Sequence, residues 1–301
     1  MDVNAAERDN PQPLWPPGSN VPWVALICAL LGGAFCPAQP AAGAAPGLAI
    51  VAEPQFVFSG TARKIPLTVH NAGDQDFEGE LRVRVLQTTS ATAVGLGEAP
   101  WKTLHVLARQ TVLESAPLDF PAVNGETRFL VQWLEPSLRV AGTAEVWVYP
   151  TNLLAELKSL VGDQRLGVFD PLDQLKPLLR DLRQDFTDLE SADVEKFSGK
   201  LAIFGPFNSI AQWPGNLAEQ IQALAKRNVA VVWFQPPPKH GDNPQPSFYI
   251  VPEKQGAIVV AQSALVANLP VNPQAQLHLI FFCKRALVPE PLPLPTSPIN
   301  Q

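Results

Sequence analysis

Two hydrophobic rhythms follow one another along this chain, and the change between them limits what it can fold into. From about residue 48 to about 150, apolar residues recur at every second position. Lys64-Ile-Pro-Leu-Thr-Val-His70 alternates Ile65, Leu67 and Val69 with polar or turn-forming partners, and Asn71-Ala-Gly73 then supplies a turn. Glu80-Leu-Arg-Val-Arg-Val85 is stricter, with Leu81, Val83 and Val85 on one side and Arg82 and Arg84 on the other. Successive side chains of a strand point to opposite faces, so this pattern makes half-buried strands. Thr127-Arg-Phe-Leu-Val-Gln-Trp-Leu134 and Glu145-Val-Trp-Val-Tyr149 read the same way, and no long helical stripe intervenes. Short strands with frequent turn signals, about seven in about 100 residues, predict an immunoglobulin-like β-sandwich over 45–150.

The second rhythm starts with a helix. Leu153, Leu157 and Leu160 recur at helical spacing and Gly162 ends the run, so 151–162 reads as a connecting helix. From 163 short apolar strands alternate with amphipathic stretches. Leu166-Gly-Val-Phe169 is a strand, and Asp170-Pro171 reads as a helix cap followed by proline. Leu172, Leu175, Leu178, Leu179 and Leu182 form an apolar stripe, inside which Pro177 is expected to kink or restart the helix. Val229-Ala-Val-Val-Trp-Phe234 is apolar on both faces, as a central parallel strand would be. The predicted fold class is α+β with two domains: the immunoglobulin-like β-sandwich, then a flavodoxin-like doubly wound α/β domain over 163–288. A proline-rich tail, 289–301, follows and is expected to be extended and unpacked.

Residues 1–44 precede both bodies. Val21 to Phe35 is an uncharged apolar run of about fifteen residues, shorter than the roughly 20 a membrane span needs. It suits the apolar part of a signal peptide, followed by the small residues Ala38, Ala42 and Ala44. Against a signal peptide, Asp2, Glu7 and Asp9 outnumber Arg8 before the run, so an uncleaved membrane anchor through 21–36 is the rival. The expected location is therefore exported: periplasmic, cell-surface or secreted, with an anchored form as the alternative. Cys28 and Cys36 lie in or beside this segment; cleavage after Ala38 would leave only Cys283, which excludes an intrachain disulfide and a cysteine-based zinc site. The net charge of −6 argues against non-specific nucleic-acid binding, which needs a concentrated basic face.

The segments Gly167-Val-Phe-Asp170, Phe186 to Glu190, Leu201 to Gly205, Val229 to Phe234 and Pro273-Gln-Ala-Gln276 together resemble the class I glutamine amidotransferase-like superfamily, over about 120 residues. The resemblance implies a flavodoxin-like fold and extracytoplasmic bacterial relatives that pair such a domain with an immunoglobulin-like one. Its catalytic members carry a cysteine on a glycine-flanked strand-to-helix elbow whose backbone N–H groups stabilise an oxyanion. Here the corresponding strand runs into Gln235-Pro-Pro-Pro238. Proline has no N–H and a fixed φ, so that chemistry is expected to be absent.

What remains is a candidate ligand groove at the carboxyl ends of the strands, formed by Asp170, Phe207, Ser209, Gln235 and, on the adjacent loop, His240. No catalytic residue, cofactor site or metal site is assigned. His70, His105, His240 and His278 have no ligand-like spacing, and Cys283 reads as a small buried hydrophobe. The acidic stretch Asp181, Asp185, Asp188, Glu190, Asp193 and Glu195 follows no calcium-loop pattern and reads as a solvated face. The expected function is a non-catalytic extracytoplasmic binding or assembly protein of a bacterial envelope, with a protein or glycan partner. The alternative is a secreted hydrolase of glycans or esters working in the same groove. No acid–base pair is visible in the sequence, which weighs against an enzyme.

Overall fold

The computed structural model describes residues 47–60, 62–236, 247–253 and 256–288. Every described residue belongs to one compact unit, Pro46–Gln301. The export or anchor segment, His240 and the proline-rich tail lie outside the described residues.

Eight strands come first: β1 (Leu48–Val51), β2 (Gln55–Phe58), β3 (Arg63–Asn71), β4 (Phe77–Thr88), β5 (Ala93–Val106), β6 (Thr111–Leu118), β7 (Thr127–Leu134) and β8 (Val140–Tyr149). They form one eight-stranded sheet in the order β5-β4-β7-β8-β1-β3-β6, with β2 also on β8. The period-two pattern sends Ile65, Leu67, Val69, Leu81, Val83, Phe129, Val131, Trp133, Val146 and Val148 into a single core. Trp133 is wholly buried and meets Trp101 edge-on, with ring centroids 6.4 Å apart.

The sheet is mixed and curled. β1 pairs antiparallel with β3 but parallel with β8, and β2 also runs parallel to β8. The two ends of the path approach each other where Lys102 of β5 donates to both carboxylate oxygens of Glu114 in β6, at 2.8 Å each. Gly142 lets β1 approach β8: a Cβ there would lie 2.0 Å from the Ile50 carbonyl oxygen. Beside it, the Glu135 carboxylate accepts the N–H of Leu48 at 2.9 Å and the Arg139 Nε–H at 2.9 Å, while Arg139 also donates to the Leu48 carbonyl at 3.2 Å. These bonds fasten the first residue of β1 to the β7–β8 turn.

A short 3-10 turn (Leu153–Ala155) and helix α1 (Glu156–Val161) follow, ended by Gly162 at φ 61°. The second sheet contains β9 (Leu166–Phe169), β10 (Phe186–Asp188), β11 (Leu201–Phe204), β12 (Ala230–Gln235), β13 (Phe248–Glu253) and β14 (Gly256–Gln262), in the order β10-β9-β11-β12-β14-β13. Only the edge strand β13 is antiparallel to its neighbour. Three further helices are α2 (Lys176–Asp181), α3 (Leu217–Lys226) and α4 (Pro273–Leu287). Helix α4 buries Leu279, Phe282, Cys283 and Ala286 on one face of the sheet, in the same core as Leu154 and Leu157. Burial pushes the Cys283 thiol far up, so it acts as a small hydrophobe. The two sheets share one compact unit, and Arg63 of β3 donates to the Val271 carbonyl at 3.3 Å.

These observations correct the α+β, two-domain reading of an immunoglobulin-like sandwich followed by a flavodoxin-like domain. Strand makes up 43% of the described residues and helix only 22%. The first eight strands join in one curled mixed sheet because β1 pairs on both sides. In the second half α1 and α2 have six residues each, too short to cover a sheet face. Pro177 does not kink a long helix; it sits at the first turn of α2, where its missing N–H costs nothing, and residues 171–175 are turn.

The Gly142 contact is testable. Gly142→Ala is expected to destabilise the fold by about 2 kcal/mol, the scale of core overpacking, read as a lower urea midpoint at unchanged slope.

Candidate functional site

The ends of β9, β11 and β12 bring Asp170, Phe207, Ser209 and Gln235 to one edge of the second sheet. They do not line an open groove there. Asp170 is 2% exposed, and its Oδ2 accepts the N–H groups of Leu175 at 2.6 Å and Lys176 at 2.9 Å. It therefore satisfies backbone donors that the start of α2 would otherwise leave orphaned. Burial pushes its carboxyl above the usual range, against the lowering pull of those N–H groups and of the Lys176 ammonium. Among the described residues its buried Oδ1 has no hydrogen-bond partner.

Phe207 is wholly buried and plugs the edge. Its ring packs between Phe169, at 5.9 Å, and Trp213, at 6.0 Å, and its N–H donates to the Ser263 hydroxyl at 2.9 Å. Gly205 makes this possible. At φ 98° it turns the chain at the end of β11, where a Cβ would lie 2.9 Å from both the Phe207 ring and the Phe234 carbonyl. Ser209 is exposed; its N–H and that of Asn208 donate to the Gln212 side chain, at 3.3 and 2.7 Å. Gln235 is half-buried opposite Gln262 of β14. The described histidines are engaged elsewhere, His70 with Thr111, His278 with the Leu265 carbonyl and His105 near Asp76. Among the described residues no group of three His, Cys, Asp or Glu could hold a metal ion.

Next to Asp170 lies an ion-pair cluster that the sequence reading missed. Lys176, with a side chain only 7% exposed, places Nζ 2.5 Å from Glu190 Oε1 and 2.9 Å from Asp188 Oδ1. The same Glu190 oxygen accepts the Asp170 N–H at 2.9 Å. Burial works to raise the Asp188 carboxyl, but the Lys176 ammonium outweighs it and holds the group below its usual range. Burial also works to lower the Lys176 ammonium, and the two carboxylates outweigh that, leaving it raised. So Asp188 and Glu190, though partly exposed, are paired with buried Lys176 rather than standing free on a solvated face, and Asp193 pairs with exposed Lys196. The available signal was Lys176 itself, which with Arg180 is one of two cations within the leucine stripe. This cluster anchors α2 to the end of β10.

Two concavities among the described residues lie elsewhere. One recess of about 420 Å³ runs between α3 and β13, lined by Ala218, Ile221, Gln222 and Lys226 of α3 and by Trp233, Tyr249, Val251, Ile258 and Val260. Tyr249 and Val251 are 44% and 39% exposed. The other, about 400 Å³, lies where Leu160 and Lys200 meet Lys284, Leu287 and Val288 at the end of α4. None of the candidate groove residues lines either one.

No family model matches this chain, and no curated protein matches it. Among solved structures, it resembles an alkylpurine DNA glycosylase from Pseudomonas fluorescens bound to DNA containing an abasic site analog, at 15% identity and TM-score 0.27, over 36% of this chain and 32% of that one. It also resembles a CARDB domain from Pyrococcus furiosus in complex with di-metal ions, at 17% identity and TM-score 0.24, over 35% of this chain and 94% of that one. A β-glucosidase from Listeria innocua in complex with glucose gives 15% identity and TM-score 0.26, over 34% of this chain and 16% of that one. Likenesses this partial carry no argument about fold or activity.

Removing one partner of a buried ion pair costs about 3–5 kcal/mol, and the partial exposure of Asp188 and Glu190 reduces this. Lys176→Met is therefore expected to cost about 2 kcal/mol at pH 7. The depressed carboxyl of Asp188 makes this contribution present above about pH 4 and lost as pH falls through its folded value. The gap between wild type and variant should shrink in acid, read by urea unfolding at pH 7 and pH 3.

Proposed function

We propose that this chain is a non-catalytic binding or assembly protein that works outside the cytoplasm, as part of a bacterial envelope, with a protein or glycan partner. The observation that carries this reading is the closed edge of the second sheet: Phe207 fills the place where a ligand would enter, and Asp170 is turned into its own helix start. The recess between α3 and β13 is the better surface for a partner. It is mainly apolar with Gln222 and Lys226 among its lining residues, carries the aromatic side chains Trp233 and Tyr249, and has no acid–base pair among its lining residues. The uncharged run at 21–35 supports export or anchoring. Among the described residues no helix is long and apolar enough to cross a membrane.

Two measurements test this. A carboxyl-terminal fusion to alkaline phosphatase, which is active only after export, should be active with residues 1–44 and silent without them. The purified full chain should show no turnover of p-nitrophenyl acetate or of chromogenic glycosides above the level of Ser209→Ala. Turnover that Ser209→Ala abolishes would establish the hydrolase instead, and a silent full-length fusion would remove the export reading.

A further inference from the structure

The two faces of edge strand β13 are treated differently. On one face Phe248 is covered by α4, with its ring 6.0 Å from Phe281 and 5.4 Å from Phe282. On the other, Tyr249 and Val251 stand beside Ile258 and Val260 of β14 with α3 on the far side, and the recess of about 420 Å³ lies between. We propose that this recess is occupied by the chain's own proline-rich segment, residues 289–298, so that an external partner must displace it. This rests on the recess being the binding surface named above.

Three observations select this occupant. The first is where the described chain ends. Val288 lies beside Lys200, whose carbonyl accepts the Ala230 N–H, and so at the edge where β11 and β12 begin. Lys226, on the rim of the recess, is at the same edge, four residues before β12 starts at Ala230. The chain thus leaves the α4 side where the recess begins on the opposite face. The second is length. Thirteen residues follow Val288, spanning about 40 Å at the roughly 3.1 Å rise of polyproline II. The way from the α4 layer past the sheet to the α3 layer is about 20 Å, two spacings of packed layers.

The third is chemistry. Pro289-Glu-Pro-Leu-Pro-Leu-Pro295 alternates prolines with leucines and carries one charge, Glu290. Grooves lined by aromatic side chains accept such segments because the extended proline backbone is already ordered before binding. Trp233 and Tyr249 supply the aromatic surface and Val251, Ile258 and Val260 the apolar one. Among the described residues Lys226 forms no ion pair, so a cation awaits the Glu290 carboxylate. The rival proline-rich segment, 236–246, brings Lys239 as well as Asp242 and joins the sheet at the opposite edge, after β12.

The test uses the full chain with a photoreactive p-benzoylphenylalanine in place of Leu294, irradiated at low micromolar concentration and mapped by mass spectrometry. Intramolecular adducts to 217–226 or 248–253 are expected. Val251→Arg should reduce their yield at least fivefold, with thermal unfolding confirming an intact fold. Glu290→Lys should also reduce it, and adding Lys226→Glu should restore it. Adducts elsewhere in the chain, adducts between two copies, or a yield unaffected by Val251→Arg would each overturn the proposal. The readout needs no export and no partner, so its failure is separate from failure of the binding role.

Discussion

Glu135 is the residue on which the first half of the fold depends. Its carboxylate holds the N–H of Leu48 and the guanidinium of Arg139 together, with Glu135 only 8% exposed. Hydrogen bonds to charged groups are worth more than neutral ones, and they offset part of the cost of burying a carboxylate. The bracket fixes where β1 begins, and β1 then pairs with β3 on one side and β8 on the other. Without that strand the path β5-β4-β7-β8 would be separate from β3-β6. The shared core of Trp133, Phe129, Val131 and Val69 exists because the two parts are held as one sheet.

The second half shows how charged residues at strand ends can serve architecture. Asp170, Lys176, Asp188 and Glu190 have the residue types of a catalytic centre, but the geometry uses their bonding capacity on each other and on backbone N–H groups. The cluster ties a helix of six residues to a strand of three, elements too short to be held by apolar contact alone. Apolar surface remains open on the far side of the sheet, between α3 and the edge strand β13.

The strands were legible because burial on one face imposes a period of two: Ile65, Leu67 and Val69, and Leu81 and Val83, all face the core as their spacing implies. The helices at Leu217 and Pro273 were legible from their stripe and, at Asn272, from a side chain that caps the Gln274 N–H. The joining of β1 to β8 was not, since register between distant strands depends on the close approach at Gly142, which no local pattern announces. Residues 248–253 escaped because Tyr249 and Val251 are exposed on an edge, and Pro252 argues against a central strand. At the candidate site, the position of Asp170 at a strand end was legible; its inward turn was not, because that depends on where the N–H groups of residues 175 and 176 fall after five residues of turn.

The margins of the six-stranded sheet have a consequence beyond this molecule. A chain rich in strand carries a standing hazard of adding strands from another copy along an unpaired edge. Here one margin, β10, is three residues long and contains Asp188, and the other, β13, carries Pro252, which cannot donate to a growing ladder. Both margins are poor templates for fibril growth, so high protein concentration need not drive the sheets of neighbouring molecules together.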